Sequence, residues 1–278
     1  MRHRTLLLLT LVALLMPWGN DVTAKINKNK KKRKAEVEVP EWDPTLPQPD
    51  EPLTPLTPQH PLTLDLMYAR DVVVTHTANH QIMGIDVSHY QGYIDWNEVA
   101  RNRDIHYVYI KATEGGELMD NMFRLNIRGA RRAGLKAGVY HFYIPSVSPQ
   151  RQFQNLRSAV NKEDMDLLPI IDIERRGRDK LPKFQQNLKT FIQMVERHYG
   201  VKPVLYCSRD FYNKYLAGPF SSYKYMIARY HPEVPELCDD APFVMWQFSS
   251  TSYVRGIHGH VDRSCMMDQY TLRDILIR

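Results

Sequence analysis

The chain has 278 residues and a net charge of +6, and 43% of its residues are hydrophobic, which excludes a chain that is disordered throughout. The charge is uneven: residues 1–34 carry nine basic side chains against one acid, and residues 35–81 carry eight acids against one arginine. Residues 82–278 carry 27 basic and 22 acidic groups, so this part permits an anionic partner but does not require one.

Residues 1–24 look like an export signal. Arg2 and Arg4 precede a mostly apolar stretch, residues 6–16, which is too short to span a bilayer comfortably, and residues 22–24 (VTA) offer small side chains for cleavage. We therefore expect an exported protein, located in the periplasm, in the cell envelope or outside the cell. An uncut membrane anchor is the alternative.

Residues 25–34 form a basic tail with seven basic side chains in ten, a run that repels itself and stays solvated. Behind an export signal, this tail is expected to contact anionic envelope polymers or lipid rather than nucleic acid. Residues 35–80 are predicted to be a linker, because eight prolines fall within residues 35–65 and favour extended polyproline II structure. The folded domain is then expected to span residues 81–278, behind a disordered N-terminal tail.

Short apolar runs alternate with helical patterns through the folded domain. In chain order the predicted segments are MGIDVS (strand), IDWNEVARN (helix start), HYVYIKAT (strand), FRLNIRGARRAG (helix), LKAGVYHFY (strand), PQRQFQNLRSAVNK (helix), LLPIIDIE (strand) and FQQNLKTFIQMVERHYG (helix), followed by KPVLYCS, DFYNKYLA, YKYMIARY, FVMWQFSS and HGHVDRSCM. This alternation predicts an α/β fold whose parallel sheet closes, or nearly closes, into an irregular β/α barrel of TIM-barrel type.

Polar and aromatic residues recur at the C-terminal ends of the predicted strands, where active sites of such barrels lie. These residues are Asp86, Lys111, Glu114, Tyr140, His141, Phe142, Asp172, Glu174, Tyr206, Trp246 and Gln247. A packed core does not need so many polar groups at one rim.

Two acids, Asp172 and Glu174, end the apolar run LLPIIDIE. Residues i and i+2 of a strand share a face, with Cα atoms roughly 6.5–7 Å apart. Two neighbouring carboxylates push their pKa values apart, which provides the acid and the anionic stabiliser that glycosidic bond cleavage uses. The alternative is a structural pair bridged to the arginines that follow, Arg175, Arg176 and Arg178.

Further candidates for the same site are acids and aromatic side chains at other strand ends. Asp86 and Asp262 could orient the central pair, or they could cap turns. Five aromatic side chains could stack on sugar faces, or they could be ordinary packing: Tyr140, Phe142, Tyr206, Tyr230 and Trp246.

Nucleophilic and metal chemistry have weaker support. His141 and Cys207 both fall at strand ends, so a Cys–His pair is conceivable, although Cys207 has the surroundings of a buried structural thiol. The three cysteines, Cys207, Cys238 and Cys265, match no zinc pattern and allow at most one disulfide. The sequence contains no HExxH, GxSxG or GxGxxG motif. We predict neither a metal nor a nucleotide site.

Seven segments resemble glycoside hydrolase family 25, the lysozyme-type N-acetylmuramidases. They occur in the family's order and span residues 83 to about 265: GIDVSHYQGYIDW, YIKATEG, AGLKAGVYHFY, LLPIIDIE, VLYCS, MWQFSS and GIHGHVD. The resemblance implies a flattened, irregular β/α barrel that cleaves the β-1,4 bond between N-acetylmuramic acid and N-acetylglucosamine in peptidoglycan, without metal or organic cofactor. A monomer is expected.

The family's D-x-E motif implies that Glu174 is the general acid and that Asp172 stabilises the transition state through the 2-acetamido group of the sugar. Glu174 is therefore expected to hold a proton and Asp172 to be ionised, with net retention through substrate assistance. Asp86 and Asp262 match family aspartates that would hold this cluster in register.

The resemblance also implies that Tyr140, Tyr206 and Trp246 line the sugar groove. The chain departs from the family where Arg263 and Ser264 follow Asp262, since a hydrophobic residue and an asparagine are usual there. Two other functions remain open: a tethered glycan-binding module without activity, and a hydrolase of another acetamido-sugar polymer such as chitin.

Overall fold

The computed structural model describes residues 78–277, with side chains described from residue 82 onward. The predicted export signal, the basic tail and most of the proline-rich linker, with the disorder expected of them, lie outside the described residues. The first strand begins at Ala78, so residues 78–80, which were assigned to the linker, are part of that strand. No helix within the described part of the chain is long and apolar enough to cross a membrane.

Nine strands form the sheet, and the strands predicted from the apolar runs are confirmed. They are β1 (Ala78–Val87), β2 (Ile105–Glu114), β3 (Leu118–Met119), β4 (Lys136–Phe142), β5 (Ile170–Asp172), β6 (Val204–Ser208), β7 (Lys224–Ala228), β8 (Met245–Ser252) and β9 (Val261–Met267). The short β3 was not predicted, and it folds back antiparallel on the end of β2. β5 is shorter than expected, so Glu174 lies two residues beyond its end.

The predicted helices are confirmed as well. They are α1 (Trp96–Ala100), α2 (Phe123–Arg132), α3 (Pro149–Ala159) and α4 (Leu181–Tyr199). Other helices were not assigned from the sequence: α5 (Arg209–Phe211), which continues as a π-helix (Tyr212–Leu216), and short 3-10 helices at His89–Gln91, Lys162–Asp164 and Leu272–Asp274. The side chain of Asp95 caps α1 by accepting the backbone N–H groups of Asn97 and Glu98. α4 ends at the predicted stop, Gly200, whose φ of 72° favours glycine.

Eight of the strands close into a barrel in the order β1-β9-β8-β7-β6-β5-β4-β2, with β1 pairing to β2. β9 is antiparallel to both of its neighbours, and the other barrel pairings are parallel. The predicted α/β barrel is thus confirmed as a closed, mixed barrel with helices, but the expected parallel arrangement is wrong at β9. The physical reason is that residues 253–260, which join β8 to β9, are too few for the crossover of a dozen or more residues that a parallel connection needs.

Alternation along the strands divides the apolar side chains into two layers, because successive residues point to opposite faces. In β5, Ile171 belongs to the large outer cluster that packs under the helices, whereas Ile170 belongs to a smaller inner cluster. The buried members of the inner cluster are Tyr107, Tyr109, Leu167, Ile170, Val204, Met226, Val244, Met245, Met266 and Ile275. These side chains fill the barrel below the ends of the parallel strands.

Two tyrosines of β2 fit inside the barrel because each lies opposite a glycine of a neighbouring strand. Tyr107 pairs with Gly84 of β1, and Tyr109 pairs with Gly138 of β4. A Cβ atom at Gly84 would lie 2.1 Å from Cε2 of Tyr107, and one at Gly138 would lie 2.4 Å from Cε1 of Tyr109. The two rings therefore occupy the space that a larger residue would need.

Gly138→Ala should lower the free energy of unfolding by roughly 1–3 kcal/mol, because Tyr109 is completely buried and has no space to move into. This loss outweighs the small gain expected from a less flexible unfolded chain. Urea unfolding followed by circular dichroism measures the change. Lys136→Ala, an exposed position in the same strand, is the control and should change stability by less than about 0.5 kcal/mol. Equal stabilities of both variants would contradict the close approach.

Candidate active site

A cavity of about 190 Å³ opens at the end of the barrel where the parallel strands finish. This end of the barrel is called the upper rim. It is lined by Asp86, Ser88, Tyr90, Lys111, Tyr140, Phe142, Ile170, Asp172, Glu174, Tyr206, Met226, Gln247 and Asp262. All four acids selected from the sequence are in this lining, although they come from three segments that are far apart in the chain: β1, β9, and β5 with the two residues after it. The structure thus brings them together in one cavity.

Asp86 and Asp262 lie opposite each other on the adjacent strands β1 and β9. Because β9 is antiparallel, its second residue reaches the same rim as the end of β1. Burial and the neighbouring Asp262 raise the pKa of Asp86 to about 8, and burial and Glu174 raise the pKa of Asp262 to about 6. Both carboxyl groups therefore keep their protons to a higher pH than they would in water.

Gln247 connects the acids to two tyrosines. This glutamine is only 2% exposed, and its Nε2 donates to Oδ2 of Asp86 at 3.1 Å. Its Oε1 accepts the hydroxyl groups of Tyr206 at 2.8 Å and Tyr230 at 3.0 Å. The network fixes the orientation of the amide and holds Asp86 in place.

Asp172 is the most deeply buried of the four acids, with an exposed fraction of 7%. Its Oδ1 atom is buried and makes no hydrogen bond within the described residues. Burial and the neighbouring Glu174 raise the pKa of Asp172 well above its usual value. The structural alternative, a carboxylate pair bridged to Arg175, Arg176 and Arg178, is not found among the ion pairs of residues 78–277.

Glu174 is exposed at the rim, and burial raises its pKa while Arg175 and Lys111 oppose the rise. The pKa values of both carboxyl groups are raised, so the expectation that Glu174 holds the proton and Asp172 does not stays a prediction. Asp172 is shielded from water, whereas Glu174 keeps water contact and has cations nearby.

Lys111 is the cation in the wall of the cavity. It is 7% exposed, and its Nζ donates to Oε2 of Glu114 at 2.7 Å. Nζ also lies 5.2 Å from the centre of the Phe142 ring. Its positive charge lowers the pKa of Asp172 and Glu174, which offsets part of the cost of burying them.

The predicted aromatic residues divide between the cavity and the outer layer. Tyr140, Phe142 and Tyr206 line the cavity, and Tyr230 is 56% exposed beside it. Trp246 was expected in the sugar groove, and this is wrong: it is completely buried, and its Nε1 donates to the backbone oxygen of Arg229 at 3.0 Å.

Strand alternation explains the error at Trp246, since neighbouring residues of β8 point to opposite faces and Gln247 is the one that faces the cavity. The same alternation, applied to the sequence, would have selected the glutamine. The sequence interpretation also missed four lining residues: Ser88, Tyr90, Ile170 and Met226. Ile170 had a periodic signal, since it lies two residues before Asp172 in β5 and shares its face.

The rival Cys–His chemistry is not supported by the structure. His141 bonds Oγ1 of Thr113 and the side chain of Gln152, and burial lowers its pKa to about 4. Cys207 belongs to the outer apolar cluster, where burial raises its pKa. Neither residue lines the cavity, and all three cysteines are unpaired. Within residues 78–277, no group of three or more His, Cys, Asp or Glu side chains could hold a metal ion.

The departure at Arg263 and Ser264 has a structural role. Oγ of Ser264 accepts the hydroxyl group of Tyr107 at 3.0 Å inside the barrel. The side chain of Arg263 is buried on the outer face of the barrel, where it donates to Asp104 and to the sulfur of Met83. Both residues therefore anchor β9, which leaves Asp262 in place at the rim.

Comparisons with known proteins agree with this geometry. The family model for glycosyl hydrolases family 25 matches residues 85–257. The uncharacterized protein YegX of Escherichia coli (strain K12) is 36% identical over 189 residues, which cover 66% of this chain and 69% of YegX. Lysozyme M1 of Streptomyces globisporus is 28% identical over 197 residues, which cover 66% of this chain and 67% of that protein.

The fold is also similar to a solved structure, a family 25 glycosyl hydrolase from Bacillus anthracis. The TM-score is 0.64 at 28% identity, and the match covers 69% of this chain and 91% of the other. The residues matched by the family model include Asp86, Asp172 and Glu174 and end before β9. The chain therefore belongs to glycosyl hydrolase family 25.

Proposed function

We propose that this protein is a muramidase, which hydrolyses the β-1,4 bond between N-acetylmuramic acid and N-acetylglucosamine in peptidoglycan. The observation that carries the proposal is the cluster of four carboxyl groups in one cavity at the rim of a family 25 barrel. The names of the relatives support it, because Lysozyme M1 and the autolytic lysozyme of Clostridium acetobutylicum match the same domain.

Glu174 is proposed as the general acid. It lies at the exposed edge of the cavity, where a glycosidic oxygen can reach it, and its raised pKa lets it carry a proton in mildly acidic solution. It would give this proton to the leaving oxygen of N-acetylglucosamine. The resulting carboxylate would then take a proton from the water that attacks the sugar.

Asp172 is proposed to hold the 2-acetamido group of the muramic acid residue. Its buried Oδ1 has no hydrogen-bond donor within the described residues, so it is free to accept the acetamido N–H. Such a bond favours the ionised carboxylate and would lower the high pKa of Asp172 when substrate binds. Asp172 would then carry the negative charge that the reaction needs.

With Asp172 orienting it, the acetamido oxygen is proposed to attack the anomeric carbon while Glu174 protonates the leaving group. Water then opens the cyclic oxazoline intermediate from the opposite face, which gives net retention. Because the substrate supplies its own nucleophile, the carboxylate separation that distinguishes retaining from inverting enzymes does not apply. Asp86 and Asp262 are proposed to act by positioning, Asp86 through its bond to Gln247.

The aromatic side chains around the cavity are proposed to contact sugar faces, with Tyr140, Phe142 and Tyr206 inside and Tyr230 at the edge. Residues 1–24 support the further proposal that the protein is exported, and the basic residues 25–34 suggest contact with anionic envelope material. We also propose that the barrel is flattened like those of the family, because the chain belongs to that family.

Two other functions are distinguished by one assay with three readouts. A glycan-binding module would sediment with peptidoglycan without ever dissolving it, and the presence of a costly buried carboxyl group disfavours this reading. A chitin hydrolase would release reducing ends from chitin rather than from peptidoglycan. A muramidase releases reducing ends from purified peptidoglycan.

Glu174→Gln should reduce the release of reducing ends from purified peptidoglycan at least about 100-fold, because general acid catalysis contributes on this scale. The amide keeps the shape of the side chain and cannot donate the proton. Glu163→Gln, which replaces an acid outside both the cavity and the strands, is the matched control and should leave the rate unchanged. Undiminished activity of Glu174→Gln with a native circular dichroism spectrum would eliminate Glu174 as the acid.

Asp86→Asn should be more stable than the wild-type protein at pH 8, by roughly 5 kcal/mol, and equally stable below about pH 4. The folded protein holds a proton on Asp86 up to about pH 8, whereas the unfolded chain releases it near pH 3.8. The wild type therefore loses stability as the pH rises between these values, and the asparagine removes this loss. Urea unfolding at a series of pH values measures the difference.

Asp268→Asn, at an exposed position beyond the other end of β9, is the control for a general charge effect. It should show no comparable gain at pH 8. If the free energy of unfolding of Asp86→Asn differed from that of wild type by the same amount at every pH, Asp86 would not have a raised pKa in the folded protein.

A further inference from the structure

A second cavity of about 520 Å³ lies beside the catalytic cavity and shares Glu174 and Tyr206 with it. Its other lining residues are Ser208, Arg209, Asp210, Ala228, Arg229 and Tyr230, from the ends of β6 and β7 and the start of α5. Because the shared wall contains Glu174, a glycan bound at this acid would lie next to the second cavity.

Two guanidinium groups face this second cavity. Nη1 of Arg229 donates to the backbone oxygens of Glu233 at 3.5 Å and Val234 at 3.3 Å, which fix the side chain without neutralising its charge. The Arg209 side chain is 38% exposed, so part of it is accessible to a ligand in this cavity.

The acids in the lining offset these cations only in part. Oδ1 of Asp210 lies 3.3 Å from Nε of Arg209, but the Asp210 side chain is 87% exposed, so water screens the pair and it contributes little. The other acid, Glu174, carries no charge while it holds the proton that it donates. The cavity is therefore suited to an anion, and the planar guanidinium fork matches a carboxylate.

We propose that the second cavity binds the free carboxylates of the peptide stem on a muramic acid residue, with Arg209 as the main contact. The proposal rests on the muramidase function and adds a substrate class to it. The glycan backbone of peptidoglycan is uncharged, and its negative charges lie on the peptides attached to the lactyl groups. Chitin has no such charges, so Arg209 would select peptide-bearing peptidoglycan over uncharged acetamido glycans.

The test compares two forms of one substrate. Soluble glycan–peptide chains are used either untreated or with their carboxyl groups converted to amides by carbodiimide and excess ammonia. The wild type should lose about fivefold in kcat/KM on the amidated chains, mainly through KM, because a hydrogen bond between two charged groups is removed. Arg209→Gln should show this loss on the untreated chains already and should not distinguish the two forms.

Three further variants make the test specific. Arg209→Lys keeps the charge and should keep part of the preference for untreated chains, whereas Asp210→Asn removes a screened acid and should keep all of it. Arg197→Gln removes the same charge from an exposed position on α4 that lines neither cavity, and it should discriminate like wild type. The proposal would be overturned if Arg209→Gln still preferred the untreated chains over the amidated ones. It would also be overturned if Arg197→Gln lost this preference to the same extent.

The test separates failure of this proposal from failure of the muramidase function. If the wild type hydrolyses neither form, the proposed activity is wrong. Equilibrium binding of the two polymers to wild type and Arg209→Gln then still reports the carboxylate preference. Equal binding of both polymers by wild type would refute the second cavity as a carboxylate site.

Discussion

The burial of carboxyl groups at the upper rim is the constraint on which the site depends. Moving an ionised carboxylate out of water costs several kcal/mol unless partners compensate for it. Here the compensation is partial: Gln247 donates to Asp86, and the charge of Lys111 acts on Asp172. The part of this cost that is not compensated appears as raised pKa values of the carboxyl groups, so these groups retain their protons to a higher pH. A site that holds protons at mildly acidic pH is what acid catalysis of a glycosidic bond requires.

The reversal of β9 completes this arrangement. A regular, all-parallel barrel would need a crossover between β8 and β9, but the connection of residues 253–260 allows only an antiparallel return. The return brings Asp262 to the rim opposite Asp86, and it brings Ser264 to the hydroxyl group of Tyr107 below. One short loop thus determines both the irregularity of the barrel and the fourth acid of the cluster.

Local patterns predicted much of this structure, because α4 has strong helical periodicity and both β2 and the segment before Asp172 contain continuous apolar runs. They predicted the barrel and the meeting of the four acids. They did not predict the direction of β9, which depends on loop length and closure, or the raised pKa of Asp86, which depends on burial. Trp246 was misassigned because its residue type was given more weight than its position in the strand. The second cavity arises from the neighbouring ends of β6 and β7, which no local pattern reports.

The most direct test of the central claim is to identify the new reducing ends. Purified peptidoglycan is digested with the protein, the products are reduced with borohydride, and the terminal sugar alcohol is identified by mass spectrometry. A muramidase that uses the acidic rim gives N-acetylmuramitol, and the yield disappears with Glu174→Gln. N-acetylglucosaminitol at the new ends, or solubilisation without any new sugar alcohol, would contradict the account.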